Sequence, residues 1–223
     1  MPNNKIIEKS CIVFDLDGTL VDTWNIHLKT CYETVLEITG MKYRKLDIIR
    51  ANKVTERETL VTLLGEMYSE EALRFYTKRF IDNLELYEVK IFSGIEDILK
   101  SLNDIGCKVG LFTGRKKETT IYLLEKINIF EYFRSIITSD DVVHSKPSTE
   151  GLVKVIKELN GMNEVSLYIG DTLTDIKIAS KLKVCSILVN WNDRLLLPRE
   201  DIKTIIVDKP DALLFHIRKF IGS

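Results

Sequence analysis

The sequence has 223 residues, of which 45% are apolar and 29% are charged, a balance typical of a globular chain long enough to bury a sizeable core. Its formal net charge of −1 provides no basis for attracting nucleic acid or an anionic membrane surface, so we expect neither as a partner. The short basic run at residues 115–117 is expected to be solvated surface.

The first predicted element is the apolar run at residues 11–14, which has the length of one buried strand. Asp15 and Asp17 follow it, and Gly18 then permits a sharp turn at positive φ. Open α/β sheets carry their chemistry at the carboxyl ends of strands, and two carboxylates lie at such an end here. The structural alternative is that both are turn residues that close the strand.

The apolar spacing over residues 22–89 predicts helices, and almost none of this segment has the pattern of a strand. Apolar spacing predicts helices over residues 24–38 and 46–51, and Thr55 with Glu58 forms a capping box before a third helix. A fourth helix is predicted to start at Ser69 and to run towards Tyr87. We therefore expect a helical domain over residues 22–89, inserted into an α/β domain of residues 1–21 and 90–223.

Strands and helices alternate from residue 91 onwards. Ser93 and Glu96 have the spacing of another capping box, at the start of a helix that ends at Gly106. Further strands are predicted over residues 108–112, 135–138, 165–169 and 184–189, with a short edge strand at 204–207. Helices are predicted over residues 117–127, 148–159, 174–182 and 210–220. This alternation implies a parallel sheet with helices on both faces.

Four polar segments follow the predicted strands, and in a parallel sheet all four open on one edge. Carboxylates gathered there would repel one another by roughly 4 kcal/mol per pair about 4 Å apart, so the cluster needs a cation. Hard oxygen ligands without a nearby His or Cys pair favour Mg²⁺ over Zn²⁺. The segments hold Asp15 and Asp17, Thr113 and Gly114, Lys146, and Asp171 and Asp175.

Opposite the metal, the Thr113 hydroxyl, the Gly114 N–H and the Lys146 ammonium could hold a phosphoryl group. Each segment alone also has a structural interpretation. Thr113 and Gly114 could simply end a strand, and Lys146 could be an exposed loop lysine. Asp171 and Asp175 could be carboxylates at the start of a helix.

The stretch after the first strand reads Asp-Leu-Asp-Gly-Thr-Leu-Val-Asp, and it resembles the first motif of the haloacid dehalogenase-like hydrolase superfamily. The three later segments match the other motifs of that superfamily in order. The resemblance implies a Rossmann-like doubly wound parallel sheet of strand order 3-2-1-4-5 with an inserted helical cap. That order makes strands one and four neighbours and places Asp15 beside Asp171.

The resemblance also implies roles for individual residues. Asp15 is similar to the nucleophile that forms an aspartyl-phosphate, and Asp17 to the general acid and base. Asp171 is expected to bind Mg²⁺ together with Asp15 and the Asp17 backbone carbonyl, and Asp175 to be a ligand or to support one. Thr113, Gly114 and Lys146 are expected to bind the phosphate of the substrate.

The function implied is that of a Mg²⁺-dependent phosphatase acting on a small phosphorylated metabolite, as in the phosphoglycolate phosphatase and β-phosphoglucomutase-like branch. A phosphomutase of the β-phosphoglucomutase type is the first alternative, because it shares every core motif and the helical cap. A non-catalytic binder of a phosphate ligand is the second, although it would have no need for Asp17. The sequence leaves the substrate and the oligomeric state open.

The helical segment is the part of the chain that could choose among phosphate esters. Arg50, Lys53 and Arg57 are its candidate specificity residues, although each could equally be a solvated helix charge. His27 is expected to be a surface or packing residue rather than a catalyst. Three residues depart from the family pattern: Gly114 replaces an Asn common in relatives, Lys183 replaces a Gly, and Asn192 replaces a Gly common after Trp191.

The four cysteines show no paired spacing, and Cys11, Cys107 and Cys185 lie on or beside apolar runs, so they are expected to be buried thiols. The first residues carry no long apolar segment, and no run approaches the length of a membrane span. These features favour a cytoplasmic protein.

Overall fold

The computed structural model describes residues 10–191 and 204–222, and Asn192 lies outside these described residues. Six strands form a parallel sheet in the order β5-β4-β1-β6-β7-β8, and β2 and β3 form a separate antiparallel pair. The predicted order of five strands is therefore confirmed, and the predicted edge strand extends it as β8. The strands are β1 (Cys11–Phe14), β2 (Val21–Asp22), β3 (Lys90–Ile91), β4 (Lys108–Phe112), β5 (Ser135–Ile137), β6 (Ser166–Gly170), β7 (Cys185–Val189) and β8 (Ile205–Val207).

The central strand β1 is apolar at every position because both of its faces are covered. Ile12 and Phe14 point into one hydrophobic cluster, and Cys11 and Val13 point into the other. All four side chains are fully buried, which is the pattern of a strand inside a parallel sheet.

Helices cover the sheet on both sides, as the alternation predicted. Helices α5 (Ile95–Asp104), α6 (Lys117–Lys126) and α9 (Pro210–Ile221) contribute to the cluster that contains Ile12. Helices α7 (Glu150–Glu158) and α8 (Leu173–Lys181) contribute to the cluster that contains Val13. The doubly wound α/β fold is thus confirmed.

Four helices lie between β2 and β3: α1 (Trp24–Thr39), α2 (Lys45–Ala51), α3 (Glu56–Leu64) and α4 (Ser69–Leu86). Tyr76 and Phe80 of α4 are fully buried and stack at a ring-centroid distance of 5.8 Å. The predicted capping box of Thr55 and Glu58 is present at the start of α3. The pairing of β2 with β3 holds the two connections to this segment side by side.

Two local predictions are wrong. Gly94, at φ +81°, precedes α5, so Glu96 is the second helical residue rather than the third, and no side chain caps this helix. The left-handed turn at Gly94 thus prevents the capping box predicted from Ser93. Cys185 is exposed because it is the first residue of β7, at the rim of the sheet.

Cys11, Cys31 and Cys107 are buried, and none of the four cysteines forms a disulfide. Among the helices of the described residues, none combines the length and the apolar character needed to cross a bilayer.

Lys183 follows α8 in the left-handed region, at φ +56°, with an exposed side chain. A side chain with a Cβ costs roughly 1–2 kcal/mol in this conformation. We therefore expect Lys183→Gly to raise the free energy of unfolding by about 1 kcal/mol in urea titrations. The gain is smaller than the full strain energy because Gly loses more conformational entropy on folding than Lys does. As a control, Lys177→Gly at an exposed position in the middle of α8 should lower it by about 1 kcal/mol. A Lys183→Gly protein no more stable than the parent would contradict this interpretation.

Candidate active site

The carboxyl ends of β1, β4 and β6 meet at one edge of the sheet. Phe14 at the end of β1 pairs with Leu111 of β4 and Ile169 of β6, so the three strands finish nearly level. The Asp15 N–H donates to the Ile169 carbonyl at 2.8 Å, which continues the ladder by one residue. The residues that follow these strands consequently face one another across the sheet edge.

Lys146 lies between two of the predicted carboxylates. Its ammonium Nζ is 2.6 Å from Oδ1 of Asp15 and 2.8 Å from Oδ1 of Asp175. The side chain is 4% exposed, and Nζ also lies 4.7 Å from the ring centroid of Phe112. Lys146 is therefore a buried, doubly paired cation rather than an exposed loop lysine.

Hydrogen bonds from several groups fix the Asp175 carboxylate in place. Its Oδ1 accepts from the Tyr168 hydroxyl at 2.8 Å, and its Oδ2 accepts from the Thr172 backbone N–H at 3.2 Å and from the Thr172 hydroxyl. Thr172 and Asp175 form a capping box, so the carboxylate also caps α8. Burial acts to raise the pKa of Asp175, but Lys146 and these hydrogen bonds outweigh it and hold the pKa below its usual value.

Three carboxylates at this edge form a candidate metal centre. Oxygens of Asp15, Asp171 and Asp175 lie within 4.8 Å of one another. Oδ1 of Asp171 is buried and has no hydrogen-bond partner within the described residues. Burial raises the pKa of Asp15 to about 7, although Lys146 acts in the opposite direction, and it raises the pKa of Asp171 well above its usual value. A set of hard oxygens with an unsatisfied buried member fits Mg²⁺.

Gly18 permits the close approach of the loop after β1 to this centre. A Cβ at Gly18 would lie 2.1 Å from Oδ2 of Asp171, and the backbone there has φ +81°. Both the conformation and the contact therefore require glycine.

The Asp17 carboxylate lies outside the three-carboxylate cluster and is bound by Arg115. Oδ1 accepts from Nη2 of Arg115 at 2.8 Å and from the Thr23 hydroxyl, and Oδ2 accepts from Nε of Arg115 at 3.0 Å. Burial acts to raise the pKa of Asp17, but the charge and hydrogen bonds of Arg115 and the bond from Thr23 hold it below its usual value.

Arg115 is a residue of the site that sequence reasoning missed, and its assignment to solvated surface is wrong. Its side chain is 4% exposed, its guanidinium lies 4.1 Å from the ring centroid of Phe80, and Nη1 is 3.5 Å from Oε1 of Glu56. The buried Glu56 carboxylate and the partly exposed Asp17 carboxylate both attract this guanidinium, whereas the Lys117 side chain is 56% exposed. The available signal was its position, directly after Thr113 and Gly114 at a strand end.

Thr113 and Gly114 lie at the end of β4, beside Asp15 and Lys146 in the wall of the same cavity. The Thr113 hydroxyl accepts from the Arg115 N–H at 3.2 Å. A Cβ at Gly114 would lie 2.3 Å from the Val54 carbonyl oxygen, so the helical segment leaves no room for a side chain here. This contact gives a physical reason for the departure from the family pattern at Gly114.

A cavity of about 870 Å³ separates the sheet edge from the helical segment. Of the three candidate specificity residues, Lys53 and Arg57 line the cavity and Arg50 does not. The Arg57 guanidinium is bound to Glu66 and lies 3.6 Å from Glu70. Within the described residues, the Lys53 ammonium has no carboxylate partner.

Comparison with known proteins agrees with this geometry. The family model for haloacid dehalogenase-like hydrolases matches residues 12–189. The pyrophosphatase PpaX of Oceanobacillus iheyensis is 28% identical over 183 residues, covering 81% of this chain and 83% of that protein. The phosphoglycolate phosphatase of Aquifex aeolicus is 26% identical over 180 residues, covering 81% and 84%. The crystal structure of CbbY from Rhodobacter sphaeroides in complex with phosphate superimposes with a TM-score of 0.81 at 19% identity, covering 91% and 95%.

Arg115→Ala should destabilise the protein by about 3 kcal/mol, because it leaves the buried Glu56 carboxylate without its cation and removes both hydrogen bonds to the partly exposed Asp17 carboxylate. Lys117→Ala, two residues away, should change the free energy of unfolding by less than about 0.5 kcal/mol because its side chain is mostly in water. Urea unfolding of both variants measures the difference. Equal, small effects would show that the basic run is solvated surface after all.

Proposed function

This chain belongs to the haloacid dehalogenase-like hydrolase family, and we propose that it is a phosphatase that hydrolyses a small phosphate monoester through an aspartyl-phosphate at Asp15. The observation that carries the proposal is the buried Lys146 ammonium, bonded to both Asp15 and Asp175 at the floor of the cavity. A fixed cation beside a carboxylate nucleophile suits the transfer of a dianionic phosphoryl group.

In this proposal the Asp15 carboxylate attacks phosphorus, and the Thr113 hydroxyl, the Gly114 N–H and Lys146 hold the phosphoryl oxygens. Asp17 donates a proton to the leaving oxygen and afterwards takes a proton from the water that hydrolyses the aspartyl-phosphate. Because Arg115 and Thr23 hold the pKa of Asp17 low, its carboxylate is ionised in this arrangement. Asp17 must therefore give up at least one bond to Arg115 and take up a proton before it can act as the acid.

The carboxylates of Asp15 and Asp171, with Asp175 as a third ligand or support and the Asp17 carbonyl as a further ligand, would hold Mg²⁺. When bound, Mg²⁺ supplies positive charge that offsets the charge of the phosphoryl group and of the nucleophile. The raised pKa values of Asp15 and Asp171 support the need for such a charge, because both carboxylates must be ionised to bind it.

The substrate proposed is a small phosphorylated metabolite of the cytoplasm whose leaving group carries a second anionic group. Residues 22–89 would act as the cap, with Lys53 as the cation available to the leaving group, and the core domain would comprise residues 1–21 and 90–223. The named relatives act on pyrophosphate or phosphoglycolate by their names, which supports hydrolysis over the mutase alternative.

Replacing the nucleophile should abolish turnover. We expect Asp15→Asn to lower kcat on phenyl phosphate by more than about 10³-fold, because an amide does not attack phosphorus. Asp17→Asn should lower it by about 10²–10⁴-fold, because an amide cannot donate the proton. Steady-state phosphate release measures both, and a single cooperative urea transition would show that each variant is folded. A near-parental rate for Asp15→Asn would exclude the covalent route.

Removal of divalent cations should stop the reaction. EDTA should abolish activity and Mg²⁺ should restore it, whereas Ca²⁺ should inhibit because it takes more oxygen ligands in a looser shell. Asp171→Asn should raise the Mg²⁺ concentration for half-maximal activity by about tenfold or more. Asp104→Asn, an exposed change on α5 with the same loss of charge, serves as the control. Full activity in EDTA would count against the metal centre.

A further inference from the structure

Three polar side chains of the helical segment form a hydrogen-bonded chain that ends at the cavity wall. Tyr76 on α4 is fully buried, and its hydroxyl lies 2.7 Å from Nδ1 of His27 on α1. Nε2 of His27 lies 2.8 Å from Oδ1 of Asn52, the residue that follows α2. His27 and Asn52 line the cavity, and the chain therefore connects the interior of the helical segment to the space above the sheet edge.

The hydrogen-bonding capacity of each group fixes the direction of this chain. Within the described residues, His27 is the single hydrogen-bond partner of the Tyr76 hydroxyl, so the hydroxyl donates its proton to Nδ1. Burial, assisted by the charge of Arg115, lowers the pKa of His27 to about 4, so the imidazole is neutral and carries its one proton on Nε2. Nε2–H then donates to Oδ1 of Asn52 at 2.8 Å, and the Cys31 Sγ, at 3.7 Å from Nε2, is a weaker second acceptor.

Asn52 is left with a free donor on the cavity side. Its Oδ1 is engaged by His27, and its Nδ2–H₂ group has no acceptor among residues 10–191 and 204–222. If the amide were reversed, His27 would have to carry its proton on Nδ1, and the buried Tyr76 hydroxyl would be left without an acceptor. The amide orientation is therefore determined by a tyrosine on a different helix.

The groups around Asn52 make this part of the wall a donor surface. Lys53, the next residue, also lines the cavity and carries a positive charge. The carboxylates of Glu56 and Glu58 also line it, but they already accept hydrogen bonds, Glu56 from the Lys116 N–H and Glu58 from the Thr55 N–H. An oxygen that carries no proton, as in a carboxylate or a phosphate, matches such a surface better than a hydroxyl does.

We propose that Asn52 is a specificity-determining residue whose side-chain amide donates a hydrogen bond to an unprotonated oxygen of the leaving group. Tyr76 and His27 are positioning residues that hold the amide with its donors towards the cavity. The inference rests on the proposed function, because it requires a phosphate ester whose leaving group reaches the helical segment. Carboxylate and phosphate oxygens share the required chemistry, and the choice of substrates below separates them.

Kinetics on three substrates test the role of Asn52. Phosphoglycolate presents a carboxylate, pyrophosphate presents a phosphate, and phenyl phosphate presents no acceptor at the far end of its leaving group. Asn52→Asp keeps the shape of the side chain but replaces the NH₂ donor with an oxygen. For the substrate whose leaving group accepts a hydrogen bond from Asn52, kcat/KM should therefore fall about 10–100-fold, mainly through a higher KM. Phenyl phosphate should change less than about twofold. Asn25→Asp, the same change at an exposed position of α1, should alter none of the three.

The positioning role has a readout that needs no substrate. The ¹⁵N chemical shifts of the imidazole should show His27 as the Nε2–H tautomer in the parent protein, and Tyr76→Phe should shift it towards a mixture of tautomers. Tyr76→Phe should also raise KM for the substrate to which Asn52 donates a hydrogen bond, and should leave kcat nearly unchanged. Tyr68→Phe, at an exposed tyrosine, is the matched control.

Three results would overturn the inference. They are an Nδ1–H tautomer in the parent protein, equal losses on all three substrates with Asn52→Asp, and no loss on any of them. A parent protein that hydrolyses none of the three would contradict the proposed function, and this inference with it. An active parent protein with an unchanged Asn52→Asp profile would overturn this inference alone.

Discussion

The site depends on one cation, the Lys146 ammonium, placed between carboxylates that would otherwise repel one another. Asp15, Asp171 and Asp175 crowd one sheet edge, and Lys146 compensates for one of the three charges. Burying an ion pair costs desolvation, which good geometry and further hydrogen bonds must offset. Tyr168 and Thr172 donate those hydrogen bonds to Asp175, whereas Oδ1 of Asp171 is buried and has no hydrogen-bond partner among the described residues. The remaining negative charge is what makes the site suited to a divalent cation and then to a phosphoryl group.

The parallel sheet positions the polar side chains of the site at one edge, and the helical segment forms the other wall of the cavity. Asp15 and Thr113 are positioned by the ladder itself, because each donates its backbone N–H to the strand beside it. Arg115 connects the two layers, since it binds Asp17 below and lies 3.5 Å from Glu56 above. The proposed acid is thus bonded to the same guanidinium that faces the helical segment, so a movement of this segment would alter the surroundings of Asp17.

Features encoded locally could be predicted from the sequence, and features that depend on distant contacts could not. The alternation of strands and helices set the fold, and the short motifs after each strand located Asp15, Lys146 and Asp171 on one edge. The burial of Arg115 escaped prediction because it depends on Asp17, 98 residues away along the chain. The chain from Tyr76 to Asn52 escaped it for the same reason, since its two bonds span 49 and 25 residues. The capping box at Ser93 failed for a local reason, the left-handed backbone of Gly94.

Chemical trapping of the acyl phosphate tests the central claim most directly. The protein would be mixed with phenyl phosphate and Mg²⁺ and quenched during turnover, and borohydride would then reduce any aspartyl-phosphate to homoserine. The account predicts that mass spectrometry finds this conversion at Asp15, and that omitting the substrate abolishes it. Turnover without any reduced residue, or reduction at a carboxylate other than Asp15, would contradict the account.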